Sequence, residues 1–554
     1  MKLNVSADIY AMRLLSQRDE NMGLEGKACL FDEFIDPELA RKYNKIAQHE
    51  ALNHSVHHGV DCTSYKDISF SDINYVVNLI NVLIPCYREA LSLLSLIEKY
   101  HPTEIIISSE DRHRTLFTEI CEQVGINFKV LIAFGVADEV RTDLIEHSNN
   151  ALNPGNVKWY SSEKVGVKKK AVNLLINLLT SVIRLLRGDK PFILINFYVP
   201  LYPIIKDLIN QKSFYVLTNS FDVLRKTSLT KAVFSGMWVL PLAVGSEDNK
   251  ELEKIVSGYK QRLEELRKNQ TIGVIEYHDV RVTITQSIID LLVQNCVPAF
   301  NQIKKNIDQF EPLVEKKRLK GGVVVSDSVW HLRLMVKILQ KYKRTNILFM
   351  NGVLGDDTRF DGMIADKVLC YGESNLIGYF RDRNNTVVVG NPLFEKAFRR
   401  RTLVTPRFPI KKVLIGSLAF SPNDINCHYS DSEIYLLDVI TILRKVMKEH
   451  SFDLEIYLKP HPSGSMDYFS WFLSRNNFNE VVLIRKGDFQ TVVSEMDLVI
   501  NTYSTSLLEA AIMGIPVIFY NLNNQRINSP FDFNGLLPSA LTRDDFYKVL
   551  NRVF

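Results

Sequence analysis

The sequence predicts an α/β protein made of two Rossmann-like, doubly wound domains. Short apolar strands alternate with amphipathic helices along most of the chain, for example in KVLIAFG, GGVVVSDS and TVVVGNP. Such alternation is typical of parallel sheets covered by helices. The chain has 554 residues, 46% of them apolar, which is enough for two or three hydrophobic cores. A basic connector over 396–411 then divides an N-terminal domain, 1–395 with an N-terminal extension, from a C-terminal domain, 412–554.

Charge and cysteine content exclude several classes of protein. The net charge of +4 is the small difference between 67 basic and 63 acidic residues, so nothing indicates a nucleic-acid-binding protein. The seven cysteines form no CxxC pair, which suits a reducing cytoplasm and predicts no metal site. Charged residues occupy the N-terminus where a signal peptide needs apolar ones, and no apolar run reaches the ~18–20 residues of a membrane span. We therefore expect a cytoplasmic protein, either soluble or bound to the inner face of the cytoplasmic membrane.

A predicted strand in the C-terminal domain ends in a rigid turn that contains a histidine. The strand LEIYL runs into Lys459, Pro460, His461 and Pro462, and the two prolines prevent its continuation. The carboxyl end of a strand in a doubly wound sheet is where such sheets bind ligands. A histidine fixed there can donate to a phosphate oxygen or protonate a leaving group. The alternative is a loop histidine that only satisfies a backbone carbonyl.

Hydroxyl side chains crowd the start of a helix later in the same domain. The strand that ends at Asn501 is followed by Thr502, Ser504, Thr505 and Ser506, and the helix starts near Ser504. The N–H groups and the dipole of a helix N-terminus favour an anion. One turn further, Glu509 is placed to accept hydrogen bonds from ribose hydroxyls. The alternative is an ordinary N-cap, worth about 1 kcal/mol.

The combination of these two segments resembles a known family. Lys459, Pro460, His461 and Pro462, with Thr505 and Ser506 following at a distance of forty-four positions, are similar to the His-Pro and Ser-Ser/Thr motifs of bacterial CMP-sugar transferases. These include sialyltransferases, polysialyltransferases and Kdo transferases. In that family the histidine and the hydroxyl pair hold the CMP phosphate, and an acidic residue between them, here Asp488, reads the nucleotide. The CDP-glycerol phosphotransferases of teichoic acid synthesis have a similar pair. The resemblance covers about the last quarter of the chain.

The resemblance implies the GT-B fold, in which the two domains face each other across a cleft. It also implies a nucleotide-sugar donor, with no metal and no further cofactor. Ser417, which follows the first strand of the C-terminal domain, lies near the expected donor phosphate. Glu110 and Asp111 follow the strand EIIIS and match the family's acidic pair, one of which acts as general base on the acceptor hydroxyl. Arg112 replaces the family's glycine there, and a helix N-cap is the alternative.

Asp327 and His331 are second-choice catalytic residues, because they lie at another strand-to-helix junction. Other motifs have simpler interpretations. His54, His57, His58 and Asp61 are interpreted as exposed or capping residues rather than a metal site. The acidic pair in GDD, 355–357, is interpreted as a turn.

Residues 168–188 predict a helix with a narrow polar stripe and an otherwise apolar surface. Its basic residues stand at the two ends: Lys168, Lys169, Lys170, Arg184 and Arg187. Two interpretations remain open, an interfacial helix on an anionic membrane or a buried helix between domains. The basic connector is by default a solvated linker, or it meets phosphate on the acceptor.

These features together predict a glycosyltransferase. We expect it to move a CMP-activated sugar acid, of sialic acid or Kdo type, onto a capsule, lipopolysaccharide or other surface-glycan acceptor. One alternative is a polyol-phosphate transferase that uses CDP-glycerol or CDP-ribitol and needs a second histidine, here His331. Another is a non-catalytic subunit that binds glycan or nucleotide.

Overall fold

The computed structural model of the chain describes residues 2–6, 27–30, 36–108, 114–131, 167–188, 190–195, 202–211, 215–218, 234, 237–239, 250–316, 319–327, 329–350, 363–373, 384–401, 409–417, 429–461, 466–502, 504–520 and 537–554.

The first part of the chain forms a small parallel sheet next to a helical layer. Its four strands stand in the order β2-β1-β7-β8 and are all parallel. Two short antiparallel hairpins, β3-β4 and β5-β6, precede the long helical segment. The elements are β1 (Lys2–Ser6), β2 (Lys27–Leu30), α1 (Pro37–Asn53), β3 (Val56–His57), β4 (Val60–Asp61), β5 (Ser64–Tyr65), β6 (Ile68–Ser69), α2 (Phe70–Ile73), α3 (Tyr75–Asn78), α4 (Ile84–Tyr100), β7 (Glu104–Ser108), α5 (Arg114–Val124) and β8 (Asn127–Leu131).

Helices α3 and α4 are joined by a π-helical turn, Leu79–Leu83, into one long apolar helix. Within the described residues this segment, Tyr75–Tyr100, is long and apolar enough to cross a membrane, where we expected no such segment. However, 71% of its most apolar stretch is buried inside the protein, and Leu79, Leu83 and Tyr87 belong to the main core. The helix is therefore packed as a core helix of this domain.

The second part of the chain builds a larger parallel sheet of seven strands. Its order is β11-β10-β9-β14-β15-β16-β17, so the order reverses between β9 and β14. Helices α8 and α9, linked by the antiparallel hairpin β12-β13, add side chains to the core that this sheet shares with α1 and α4. The elements are α6 (Val167–Arg187), β9 (Phe192–Ile195), α7 (Tyr202–Gln211), β10 (Tyr215–Thr218), β11 (Trp238–Val239), α8 (Lys250–Asn269), β12 (Val274–Tyr277), β13 (Val280–Thr283), α9 (Thr285–Lys316), β14 (Leu319–Val324), α10 (Trp330–Lys341), β15 (Thr345–Phe349), β16 (Lys367–Cys370), β17 (Thr386–Val388) and α11 (Pro392–Arg401).

The third part of the chain is a six-stranded parallel sheet in the order β20-β19-β18-β21-β22-β23, with the same reversal, here between β18 and β21. Apolar side chains alternate between two cores along β18: Val413 and Ile415 face one, and Leu414 faces the other. The sheet is therefore covered on both faces, as a doubly wound sheet must be. The elements are β18 (Lys412–Gly416), α12 (Tyr429–His450), β19 (Glu455–Lys459), α13 (Met466–Arg475), β20 (Val481–Leu483), α14 (Phe489–Val493), β21 (Leu498–Asn501), α15 (Thr505–Met513), β22 (Val517–Tyr520), β23 (Ser539–Ala540) and α16 (Arg543–Val553).

The predicted α/β class with two doubly wound sheets is confirmed, because the second and third sheets are parallel and each reverses its strand order once. Residues 1–395 contain an additional small parallel sheet; the sequence predicted its strands β7 and β8, but placed them in the N-terminal Rossmann-like domain. The domain limits and the cleft between domains stay predictions. The start of the connector differs from a solvated linker, because α11 is a helix whose Ala397 is buried in one of the two cores of the third sheet.

Candidate functional site

Three strand ends meet at one edge of the third sheet. Gly416 at the end of β18 pairs with Lys459 at the end of β19, and Ile415 pairs with Ile500 of β21. Because all three strands are parallel, the residues that follow them emerge at the same edge. That edge includes the point where the strand order reverses, which is the usual ligand site of a doubly wound sheet.

The side chain of Asn501 lies directly against the backbone of Gly416. A Cβ atom on Gly416 would stand 2.2 Å from Asn501 Nδ2 and 2.4 Å from Asn501 Cγ. Only glycine therefore lets the two strand ends approach this closely. Asn501 is buried, its Oδ1 accepts a hydrogen bond from Thr502 N at 2.9 Å, and its Nδ2 donates to Ser506 Oγ at 2.9 Å. The amide thus links the end of β21 to the first turn of α15.

The hydroxyl groups at the start of α15 form a connected set. Ser504 is the N-cap, and its Oγ accepts from Ser506 N at 3.2 Å. The Ser504 and Ser506 hydroxyls are 2.7 Å apart. Ser504, Thr505 and Ser506 remain partly accessible to solvent. The free N–H groups and the positive end of the helix dipole make the start of α15 suitable for an anion. The hydroxyls of Ser504 and Ser506 add neutral hydrogen-bond donors.

His461 lies at the same edge, as predicted from the two prolines. Its backbone N–H donates to Ser417 Oγ at 3.0 Å, and Ser417 is buried directly after Gly416. Pro460 is buried and the His461 side chain is exposed, so the turn is anchored while the imidazole faces solvent. Lys459 is half-buried, and burial lowers the pKa of its ammonium against the opposing effect of Asp488. The structure therefore brings His461, Ser417 and Ser506 to one sheet edge.

Asp488 is at the N-terminus of α14, where its side chain makes no capping hydrogen bond to the helix. Its Oδ2 accepts from Thr491 Oγ1 at 3.1 Å and lies 3.7 Å from both Lys396 Nζ and Arg400 Nη1 of α11. The side chain is about half exposed, at 52%. Ion pairs with this exposure are worth about 0–1 kcal/mol, so the carboxylate is available for exchange with a ligand.

Gln490, which is buried, and Glu509, which is partly buried, form a polar pair next to Asp488. Gln490 Nε2 donates to Glu509 Oε2 at 2.9 Å. Burial raises the pKa of Glu509, the bond from Gln490 opposes this, and the charge of Asp488 adds to it. Gln490 is only 4% exposed, and its Oε1 has no hydrogen-bond partner among the described residues. This oxygen is enclosed by protein atoms, so the missing hydrogen bond is a local energetic cost and not a group open to a ligand.

The candidate catalytic carboxylates of the N-terminal domain are either outside the described residues or already engaged in hydrogen bonds. Glu110 and Asp111 lie outside the described residues. Asp327 is buried at the carboxyl end of β14, and its Oδ2 accepts from Ile364 N at 2.6 Å and Ala365 N at 3.1 Å. This carboxylate ties two segments of the second sheet together. Burial raises its pKa, and Arg333 is the main opposing charge.

His331 follows in α10, with its ring edge-on to Trp330 at 5.6 Å between centroids. Burial lowers its pKa to about 4, so the imidazole is neutral at physiological pH.

The N-terminal histidines take structural positions, not all of them exposed. His54 is the C-cap residue of α1, as one of the two expectations had it, but it is buried rather than exposed, with Nε2 3.1 Å from Ser71 Oγ and Nδ1 3.1 Å from the Glu50 carbonyl. His57 Nδ1 lies 2.8 Å from Glu265 Oε2. In the part of the chain that the structure describes, no group of three or more His, Cys, Asp or Glu side chains has the geometry to hold a metal ion. The acidic pair at 356–357 lies outside that part.

Two polar residues of the site were not predicted. Asn501 was seen only as the end of a strand, although an asparagine that closes the apolar run LVI is a recognisable signal. Gln490 offered no such signal, because its neighbour Glu509 is nineteen positions away and only the packing of α14 on α15 joins them.

Comparisons with known proteins give distant structural likenesses only. No protein-family model matches the chain. No curated protein matches it either. Among solved structures, UDP-GlcNAc 2-epimerase from Methanocaldococcus jannaschii in complex with UDP-GlcNAc and UDP is similar at 12% identity and a TM-score of 0.38, covering 66% of this chain and 92% of that one. The UDP-GlcNAc 2-epimerase from Neisseria meningitidis bound to UDP-GlcNAc has 11% identity and a TM-score of 0.37, with 66% and 90% covered. A variant of the wall teichoic acid polymerase TagF has 11% identity and a TM-score of 0.31, with 76% and 90% covered. The function must therefore be argued from the site itself.

Proposed function

We propose that this protein is a glycosyltransferase that moves a CMP-activated sugar acid, of sialic acid or Kdo type, onto a capsule, lipopolysaccharide or other surface-glycan acceptor. One observation carries the proposal. His461 and the hydroxyl-capped start of α15 emerge at the same sheet edge, linked through Ser417, Gly416 and Asn501. This is the arrangement that the motif resemblance requires, and it is assembled from segments about forty positions apart in sequence.

Different residues at this edge of the third sheet bind different parts of the nucleotide. The α15 N-terminus, with Thr505 and Ser506, binds the donor phosphate. The exposed imidazole of His461 donates to the charge that develops on this phosphate as CMP leaves. Glu509, held by Gln490 Nε2, or the half-exposed Asp488 accepts from a ribose hydroxyl or a base amine. These groups suffice for a leaving group that departs without a metal.

The acceptor hydroxyl needs a general base, which we assign to the N-terminal domain. Glu110 or Asp111 is the candidate from the motif resemblance. Asp327 is less suited, because one of its oxygens already accepts two backbone hydrogen bonds. The donor would be cytoplasmic, so we place the reaction in the cytoplasm, with a glycan or lipid-linked acceptor presented at the inner face of the membrane.

Polyol-phosphate transfer from CDP-glycerol or CDP-ribitol is the second candidate, and the position of His331 favours it. This histidine stands in the first turn of α10, beside the strand-order reversal of the second sheet. The two reactions differ in what His331→Ala does. Sugar transfer that depends on a carboxylate base retains most of its rate, whereas transfer that needs a second histidine loses about 10²–10⁴-fold.

Ligand binding tests the donor class. The melting temperature should rise with CMP and CDP and respond little to UDP or GDP, because a ligand that binds only the folded state stabilises it by about 2.7 kcal/mol at a hundredfold excess over Kd. His461→Ala and Ser506→Ala should each weaken the response to CMP. His450→Ala is the matched control, since that exposed histidine bonds Asn551 on α16. A response to UDP alone, or an undiminished response in His461→Ala, refutes the site.

Catalysis is tested separately from binding. The enzyme should release CMP from a CMP-sugar acid in the presence of acceptor, and His461→Ala should lose about 10²–10⁴-fold in kcat. A non-catalytic binding subunit would bind CMP, release none from any CMP-sugar, and support surface-glycan synthesis in cells that contain only His461→Ala.

A further inference from the structure

Helix α6 presents its polar stripe to the protein body. Thr180 is fully buried, and its Oγ1 donates to the Met237 carbonyl beside β11 at 3.0 Å. The Arg184 guanidinium stacks 4.4 Å from the Phe192 ring centroid and 5.2 Å from that of Tyr215. The polar stripe that periodicity predicts therefore packs on the edge of the second sheet.

The aliphatic side of the same helix faces outward. Six leucines expose 41–84% of their surface, and Leu185 and Leu186 are the most exposed at 84% and 78%. The six are Leu174, Leu175, Leu178, Leu179, Leu185 and Leu186. A buried inter-domain helix, one of the two interpretations from the sequence, is excluded for these side chains. Six exposed leucines at helical spacing form a contiguous apolar patch, and such patches mark interaction sites.

The charges of α6 indicate what covers this surface. The helix contains no acidic residue, and basic residues stand at its two ends: Lys168, Lys169 and Lys170 in the first turn, and the exposed Arg187 in the last turn. Its remaining basic residue, Arg184, lies against Phe192 and Tyr215 and belongs to the attachment to the protein. A helix of 21 residues is about 30 Å long, so an apolar strip lies between two cationic ends. An anionic phospholipid surface complements both parts at once. A second copy of the chain would place like charges against each other in a twofold contact.

We propose that α6 docks the protein on an anionic membrane, lying in the plane of the interface with its leucines at the acyl boundary. The polar stripe, held by Thr180 and Arg184, then serves as the attachment to the protein. The docking depends only on α6 and not on the nucleotide that the third sheet binds. It would keep the enzyme at the surface where lipid-linked acceptors are located.

Vesicle sedimentation of the full chain tests this docking. The protein should sediment with phosphatidylglycerol–phosphatidylethanolamine vesicles and at least about tenfold less with phosphatidylcholine vesicles, because each basic residue near an anionic surface adds to binding. The double variant Leu185→Glu/Leu186→Glu should lose about tenfold or more of its binding to the anionic vesicles. Val60→Glu/Val482→Glu is the matched control, with the same change of charge at side chains that are 69% and 52% exposed elsewhere.

Three outcomes would overturn the proposal. One is no sedimentation with anionic vesicles, and another is equal sedimentation of wild type and the Leu185/Leu186 variant. The third is a dimer in the absence of lipid that the Leu185/Leu186 variant dissociates, since a second copy would then cover the face. The melting temperature and its response to CMP should be unchanged in this variant, so a failure of docking is distinguishable from a failure of the proposed function.

Discussion

Replacing Gly416 with alanine should damage both the stability of the third sheet and its affinity for nucleotide. The new Cβ atom would lie 2.2 Å from Asn501 Nδ2, more than 1 Å inside an ordinary contact. The amide of Asn501 must then move away, which breaks its bonds to Thr502 N and Ser506 Oγ. Overpacking costs about 1–3 kcal/mol, and each lost hydrogen bond costs about 1 kcal/mol. We expect a loss of about 3–5 kcal/mol in the free energy of unfolding.

A double-mutant cycle with Asn501→Ala identifies the cause. In the Asn501→Ala protein the colliding amide is absent, so adding Gly416→Ala should cost about 2–3 kcal/mol less than it does in the wild type. Urea denaturation of the four proteins measures this coupling. Gly258→Ala in α8 is the matched control, because its added Cβ meets only a carbonyl oxygen at 4.0 Å and alanine favours a helix.

The same variants also test whether the contact between Gly416 and Asn501 shapes the proposed nucleotide site. Asn501 holds the Ser506 hydroxyl at 2.9 Å, so both Gly416→Ala and Asn501→Ala should reduce the CMP-induced rise in melting temperature. Strictly additive unfolding costs, or a Gly416→Ala protein as stable as the wild type, would refute the inferred collision. An undiminished response to CMP would show that the Asn501–Ser506 link does not shape the nucleotide site.

Two further predictions concern the N-terminal domain. Burial raises the pKa of Glu50 from 4.5 to about 7, against the opposing hydrogen bond from the Tyr87 hydroxyl, so the folded state holds this proton more tightly. The free energy of unfolding should therefore fall by about 3 kcal/mol as pH rises from 4.5 to 7, and Glu50→Gln should flatten that slope in pH-dependent urea denaturation. Arg333 is buried and pairs with Asp72 at 2.6 Å, so Arg333→Met should cost about 3–5 kcal/mol by leaving Asp72 with Lys337 as its remaining cationic partner. A cost below about 1 kcal/mol, or no recovery on adding Asp72→Asn, would contradict this assignment.

The sequence predicts those parts of the site whose conformation is set by residues close together in the chain. Pro460 and Pro462 stop a strand wherever they occur, and Ser504 caps a helix through its own neighbour Ser506. The contact between Gly416 and Asn501 depends instead on strand order, because β18 and β21 are adjacent although more than eighty residues separate them. No local pattern encodes that adjacency.

Helix α6 shows the limit of periodicity in a different way. The repeat of polar residues places Thr180 and Arg184 on one stripe, and the structure confirms the stripe. Periodicity does not say which side of a helix meets the protein. The usual preference for burying apolar side chains predicts the wrong orientation here. On its protein-facing side, Thr180 donates a hydrogen bond to the Met237 carbonyl, and the Arg184 guanidinium stacks on the rings of Phe192 and Tyr215. The leucines are left outside, and this reversal is the basis for the proposed membrane docking.

The start of the basic connector, residues 396–401, has a defined place because it forms the end of α11. Ala397 packs in the same core as Leu507 of α15, so α11 belongs to the third sheet rather than bridging two bodies as a solvated linker. Lys396 and Arg400 then lie 3.7 Å from Asp488, within reach of any ligand that Asp488 contacts. A ligand phosphate near this helix would compete with Asp488 for both cations. In the proposed site, nucleotide recognition by Asp488 and phosphate recognition by α11 would therefore be coupled, and Lys396→Ala should change the affinity for CDP, with two phosphates, more than that for CMP.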